Sequence, residues 1–169
     1  MSELSPWFQR KFDFSFPAEL YPNVCARLRG TPARLEEMVG GGPRESLTRK
    51  PGKTWSAQEN AGHLLDLEPL WLARVEDYLN GAETLTTADL TNRKTHEANH
   101  NARRVEELLE GFRKARAALM ERVEALDESV YSRVALHPRM KTPMRLIDHL
   151  YFVAEHDDHH LARIWELRN

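Results

Sequence analysis

The chain has 169 residues, of which 41% are apolar and 30% charged, with a formal net charge of −2 and a pI near 6.5. That is the composition of one globular domain over residues 1–169, and it excludes an intrinsically disordered chain. The slightly acidic balance argues against nucleic-acid binding, the lack of a ~20-residue apolar run against a membrane span, and the lone Cys25 against an internal disulfide. Met1–Trp7 shows no basic-then-apolar leader, so the expected compartment is the cytoplasm.

Helical periodicity dominates, and no long segment alternates with period two. The first helix carries Leu20, Val24, Leu28, Leu35 and Met38 on one stripe; Gly30-Thr31-Pro32 either kinks it or stops and restarts it, and Gly40-Gly41-Gly42-Pro43 ends it. The second opens at Ser56 with Glu59 three residues on, a capping box, and presents Ala61, Leu64, Leu65, Trp71, Leu72, Val75 and Leu79. Residues 82–97 read as a connection long enough to travel the length of a helix. Val105, Leu108, Leu109, Phe112, Leu119, Val123 and Leu126 define the third helix. After a loop over Asp127–Met140, the fourth starts at Thr142-Pro143 and runs to about Leu167. The expected fold is therefore all-α: a four-helix bundle with one long crossover connection between the second and third helices.

Histidine is the unusual residue. There are eight, four of them within residues 149–160. On a wheel at ~100° per residue, His149, His156 and His160 share the stripe of Leu146, Val153 and Ile164, while His159 falls on the flank. The His156-x-x-x-His160 spacing puts two imidazoles one turn apart, where both can reach one ion at ~2.0–2.1 Å. A third ligand must come from a facing helix, and His63 is the best placed. Taken singly, an inward histidine is a hydrogen-bonded core residue more often than a ligand. Three together, among apolar neighbours with few partners to offer, favour a metal. Asp157 faces inward, either orienting a ligand histidine through its other ring nitrogen or lying at a helix seam. Asp66 and Glu68 read as surface or rim charges, and Cys25 as a buried, inert thiol. His149 fits a support for the ligands, a pocket wall or plain packing. His96 and His100 fit a solvated helix start, or the mouth of a pocket. No zinc-protease His-Glu-x-x-His, phosphate-binding glycine loop or Gly-x-Ser-x-Gly elbow occurs, and the Glu-x-x-His pairs of di-iron bundles are missing from the matched positions.

Trp55-Ser56-x-x-Glu59 leading to Gly62-His63-Leu64, with the closing run Glu155-His156-Asp157-Asp158-His159-His160-Leu161, resembles the DinB-like superfamily of small bacterial four-helix-bundle metalloproteins. Arg27-Leu28-x-x-Thr31-Pro32-x-x-Leu35 and His137-Pro138 match as well, so the resemblance spans nearly the whole chain. It implies that His63, His156 and His160 are the metal ligands, for zinc or nickel first and manganese or iron after them. It also implies kinship with transferases that use low-molecular-weight thiols.

Three neutral imidazoles leave a dication's full charge and an open position, enough to acidify a water to a pKa of ~7 or to hold a thiolate. The expected protein is thus a metal-dependent transferase or hydrolase acting on a small molecule, with a thiol as candidate cosubstrate and a homodimer as the expected assembly. The alternative is a non-catalytic metal-binding module of a stress response.

Overall fold

The structure is a computed structural model and describes residues 4–169; residues 1–3, the start of the stretch read for a leader, lie outside it. Four long helices carry the fold: α1 (Tyr21–Val39), α2 (Ala57–Leu79), α3 (Val105–Glu124) and α4 (Leu146–Arg168). The expected stripes are buried, with Leu28 and Leu35 on α1, Leu64 and Val75 on α2, Phe112 and Leu119 on α3, and Val153 and Ile164 on α4. The capping box at α2 is complete: Ser56 Oγ accepts from the Glu59 amide at 3.1 Å, and the Glu59 carboxylate accepts from the Ser56 amide at 2.8 Å.

Bonds between helices fix the topology. Arg116 to Glu68 and Arg122 to Glu76 make α2 and α3 parallel neighbours. Thr31 to Asp157 and the Met38 carbonyl to Arg168 make α1 and α4 parallel. Asn60 with His160, and Tyr78 with the Met144 carbonyl, set α2 antiparallel to α4, while Tyr21 with Val123 and Glu36 with Arg113 set α1 antiparallel to α3. The order is up-down-down-up. Parallel neighbours require the chain to return the length of α2, whose 23 residues span about 34 Å. The expected crossover does this over residues 80–104, laying two short helices, Arg93–Glu97 and His100–Ala102, against α2.

Three local expectations need correction or completion. α1 runs unbroken through Gly30-Thr31-Pro32. Pro32 has no N–H for the Leu28 carbonyl, and Arg116 Nη1 donates to that carbonyl at 3.0 Å in its place. The fourth helix does not begin at Thr142-Pro143. Those residues lead into a small hairpin of β1 (Val134–Leu136) and β2 (Pro143–Arg145), with Ala135 opposite Met144, and α4 starts at Leu146. A proline's fixed φ suits extended chain as well as a helix start, and here the Val134–Leu136 strand decides. Finally, Phe12, Phe14 and Phe16 do alternate, with Lys11, Asp13 and Ser15 outward, in an extended N-terminal arm tied to the bundle by Arg145 Nη2 donating to the Phe14 and Phe16 carbonyls at 3.1 and 2.9 Å.

Candidate metal centre

The antiparallel pairing of α2 and α4 brings His63 opposite His156 and His160. One nitrogen of each lies within 4.8 Å of the other two, and the ring centroids are 4.5 to 5.3 Å apart. All three rings are buried. Burial pulls His63 down to about 4 and holds His156 and His160 well below the ordinary histidine value, so the trio is neutral at physiological pH.

Two of the tautomers are fixed by neighbours. Thr95 Oγ1 donates to Asp66 Oδ2 at 2.9 Å, so it accepts from His63 Nδ1–H at 2.9 Å. Asn60 Nδ2 donates to the Ser56 carbonyl at 2.8 Å, which turns its Oδ1 to accept from His160 Nδ1–H, also at 2.8 Å. Both imidazoles therefore carry their proton on Nδ1 and offer a bare Nε2 lone pair. His156 Nδ1 is buried without a partner among the described residues. Neutral imidazoles with their outer nitrogens tied back suit a borderline divalent ion, so the residues present fit the metal that the spacing implied. Indoles dry the surroundings: Trp55 stands 4.7 Å from His63, while Trp7 and Trp71 stand 5.1 and 5.5 Å from His156.

The supports of the site differ from those expected. Asp157 makes no side-chain hydrogen bond to the trio among the described residues; it lies at the helix seam, accepting from Thr31 Oγ1 at 2.9 Å and from Arg116 Nη1 at 2.6 Å. Asp66 and Glu68 are buried rather than rim charges, Asp66 holding Thr95 and His100, Glu68 pairing with Arg116 at 2.7 Å. His100 is not a solvated helix start: it is buried with Nε2 on Asp66 at 2.8 Å, and Gly62 gives it room, since a Cβ there would overlap its ring. His96 is exposed, with its ring 5.6 Å from Trp55. His149 is packed in the core beside Trp71, Tyr78 and Phe152. His159 lies beside the trio, its ring 5.3 Å from that of His160, without joining it. Cys25 is buried as expected, and burial pushes its thiol up to about 11. Asn60 and Thr95 escaped the sequence reading, although Asn60 three residues before His63 was a findable signal.

The trio opens on one cavity of about 680 Å³, which Trp7, Trp55, Trp71, Phe152 and His159 help to line. Residues 27–164 match the DinB superfamily. The chain belongs to that superfamily. Among solved structures, this DinB protein is similar to YfiT from Bacillus subtilis, described as a probable metal-dependent hydrolase with an unusual four-helix bundle topology. The TM-score is 0.80 at 20% identity, over 94% of this chain and 91% of that one. A protein from Streptococcus pneumoniae follows with a TM-score of 0.67 at 10% identity, over 93% and 91%. Likeness at these identities is one of fold. No curated protein matches the sequence. No helix among the described residues is long and apolar enough to cross a membrane.

Proposed function

We propose that this DinB protein is a metal-dependent hydrolase of a small molecule, with His63, His156 and His160 holding a divalent ion, zinc or nickel in first place. The observation that carries the reading is the pair of independently fixed tautomers, each presenting a bare Nε2 toward one cavity. A purely structural ion is closed in by its ligands, whereas this trio opens on space enough for a substrate. The description of YfiT as a probable hydrolase supports the same class. An ion bound there supplies Lewis acidity that activates a nucleophile and polarises its target near neutral pH.

The chain's own residues do the rest. Thr95 and Asn60 orient two ligands, and the three indoles exclude bulk water and strengthen every local charge interaction. His159, half-buried with Nδ1 unpartnered among the described residues, is placed to exchange a proton with a bound substrate. Transfer to a low-molecular-weight thiol is the second reading. It is favoured by a cavity with room for two small molecules, and it needs an outside thiol because Cys25 is buried in the core.

The test is elemental analysis of tag-free protein, followed by turnover of ester and amide panels with and without added thiol. His63→Ala, His156→Ala and His160→Ala should each empty the site, while His159→Ala keeps the metal and loses rate. Equal metal loss in all four variants, or metal-replete protein inert toward both panels, would overturn the reading.

A further inference from the structure

Beyond the trio, beside the Trp71 indole, the same cavity holds a second cluster of polar groups that the proposed chemistry does not use. Trp71 stands 5.5 Å from His156 and also 5.5 Å from the Arg74 guanidinium. Arg74 is only 2% exposed, yet among the described residues its side-chain partners are the Thr86 carbonyl and His137, and no carboxylate lies within ion-pair distance of it. Its Nε donates to the Thr86 carbonyl at 2.9 Å, and Asp77, one turn on, is occupied by the Thr86 amide at 2.5 Å. A buried guanidinium is ordinarily paired, because an unpaired buried charge is expensive.

The neighbours deepen the deficit. His137 Nδ1 lies 3.2 Å from the Met140 amide. Its Nε2 lies 3.3 Å from Arg74 Nη1, so a neutral imidazole offers one lone pair to two N–H donors and leaves one of them unsatisfied. Arg139 joins the wall from the loop after β1, its Nη2 buried and unpartnered among the described residues and its guanidinium over the Phe8 ring at 5.2 Å. Trp71 Nε1 is likewise buried and unpartnered among the described residues. Burial brings Arg74 down to about 10, and the like charge of Arg139 adds to the effect. Asp89, the one carboxylate on the cavity wall among the described residues, is engaged with Thr91 and the Arg93 amide.

We propose that Arg74, Arg139 and Trp71 Nε1, beside His137, form a carboxylate-binding subsite, so that the substrate is a small organic acid with an apolar body. The donors are few and the remaining wall, at Leu67, Leu70, Pro138 and Phe152, is apolar, which suits a monoanionic carboxylate on a hydrocarbon better than a dianionic phosphate. The acid group would anchor at the guanidiniums while the body passes Trp71 toward the trio. This rests on reading the trio's cavity as the substrate site.

The probe is 4-phenylbutyrate, compared with 4-phenylbutanamide and inorganic phosphate, titrated by calorimetry into chelator-treated and zinc-loaded protein. The acid should bind the chelator-treated protein, where the bare imidazole lone pairs offer an anion nothing, and the amide should bind about tenfold more weakly or worse. Arg139→Met, at a surface loop, should weaken the acid by a similar factor without changing the amide; Arg74→Met should weaken it further, with circular dichroism checking its fold. His156→Ala should leave the acid's affinity intact. Acid and amide binding equally, phosphate binding more tightly than the acid, or an unchanged affinity in Arg139→Met would overturn the subsite. If zinc fails to bind while the acid still discriminates, it is the metal reading that falls and the subsite that stands.

Discussion

Thr95 and Gly62 set the His63 side of the candidate metal centre, and neither belongs to the histidine trio. Thr95 Oγ1 passes a hydrogen bond from His63 Nδ1–H to Asp66, and His100 closes the chain on the same carboxylate oxygen. Thr95→Val keeps the shape and deletes the acceptor, so His63 is free to rotate or change tautomer. Zinc affinity should fall about 10–100-fold, measured by competition with a chromophoric chelator, while the melting temperature of the metal-free protein moves little. Gly62→Ala acts on the same chain from the other end. Its methyl would occupy the space of the His100 ring, so the residues 93–102 segment must lift from α2 and take Thr95 with it. That variant should lose both metal affinity and thermal stability. An alanine at Gly62 that binds zinc as the wild type does would show that the His100–Asp66–Thr95 chain has no hold on the ligand.

At the scale of whole elements, one arginine ties three of the four helices to α3. Arg116 pairs with Glu68 on α2 and Asp157 on α4 and donates to the Leu28 carbonyl that Pro32 leaves open on α1. All three charged groups are buried. Arg116→Met would strand two carboxylates and a carbonyl, and should destabilise by about 3–5 kcal/mol in urea unfolding. Glu68→Gln should be milder, since Asp157 still compensates the guanidinium. The stripes, the capping box and the crossover were legible because each is a property of one segment. Arg116 was not, although steps of four and three from Phe112 to Leu119 place it on the inward stripe. Periodicity shows that a polar residue points inward; what it meets there depends on three other helices. The same limit hid Glu68, Asp66 and His100, and it left Asp157 open between two roles. His156 and His160 were readable because both lie on one helix. His63 needed a facing partner, and the antiparallel α2–α4 pairing supplies it.

For the molecule as a whole, two buried histidines away from the trio make stability depend on pH. His149 is fully buried with both ring nitrogens unpartnered among the described residues, packed by Trp71, Tyr78 and Phe152, with Arg74 and His137 as its nearest charged or titratable influences. His137 faces Arg74 and Arg139. Burial first, and those cations next, bring His137 from 6.5 to about 4 and hold His149 well below its ordinary value. Both groups bind a proton more readily in the unfolded chain than in the fold. The stability they allow is thus complete above pH 6.5 and is lost as pH falls toward 4, at about 1.4 kcal/mol per pH unit for each. Urea midpoints of chelator-treated protein should therefore drop between pH 7.5 and 5.0. His149→Leu should flatten that slope, and at pH 7.5 it should raise the midpoint as well, because an apolar side chain replaces two desolvated nitrogens that bond to nothing. A slope unchanged by His149→Leu and by His137→Phe would place the acid sensitivity elsewhere, in the metal-free trio, whose three imidazoles burial also depresses, or in the carboxylates that Arg116, Arg27 and Arg10 hold across the bundle.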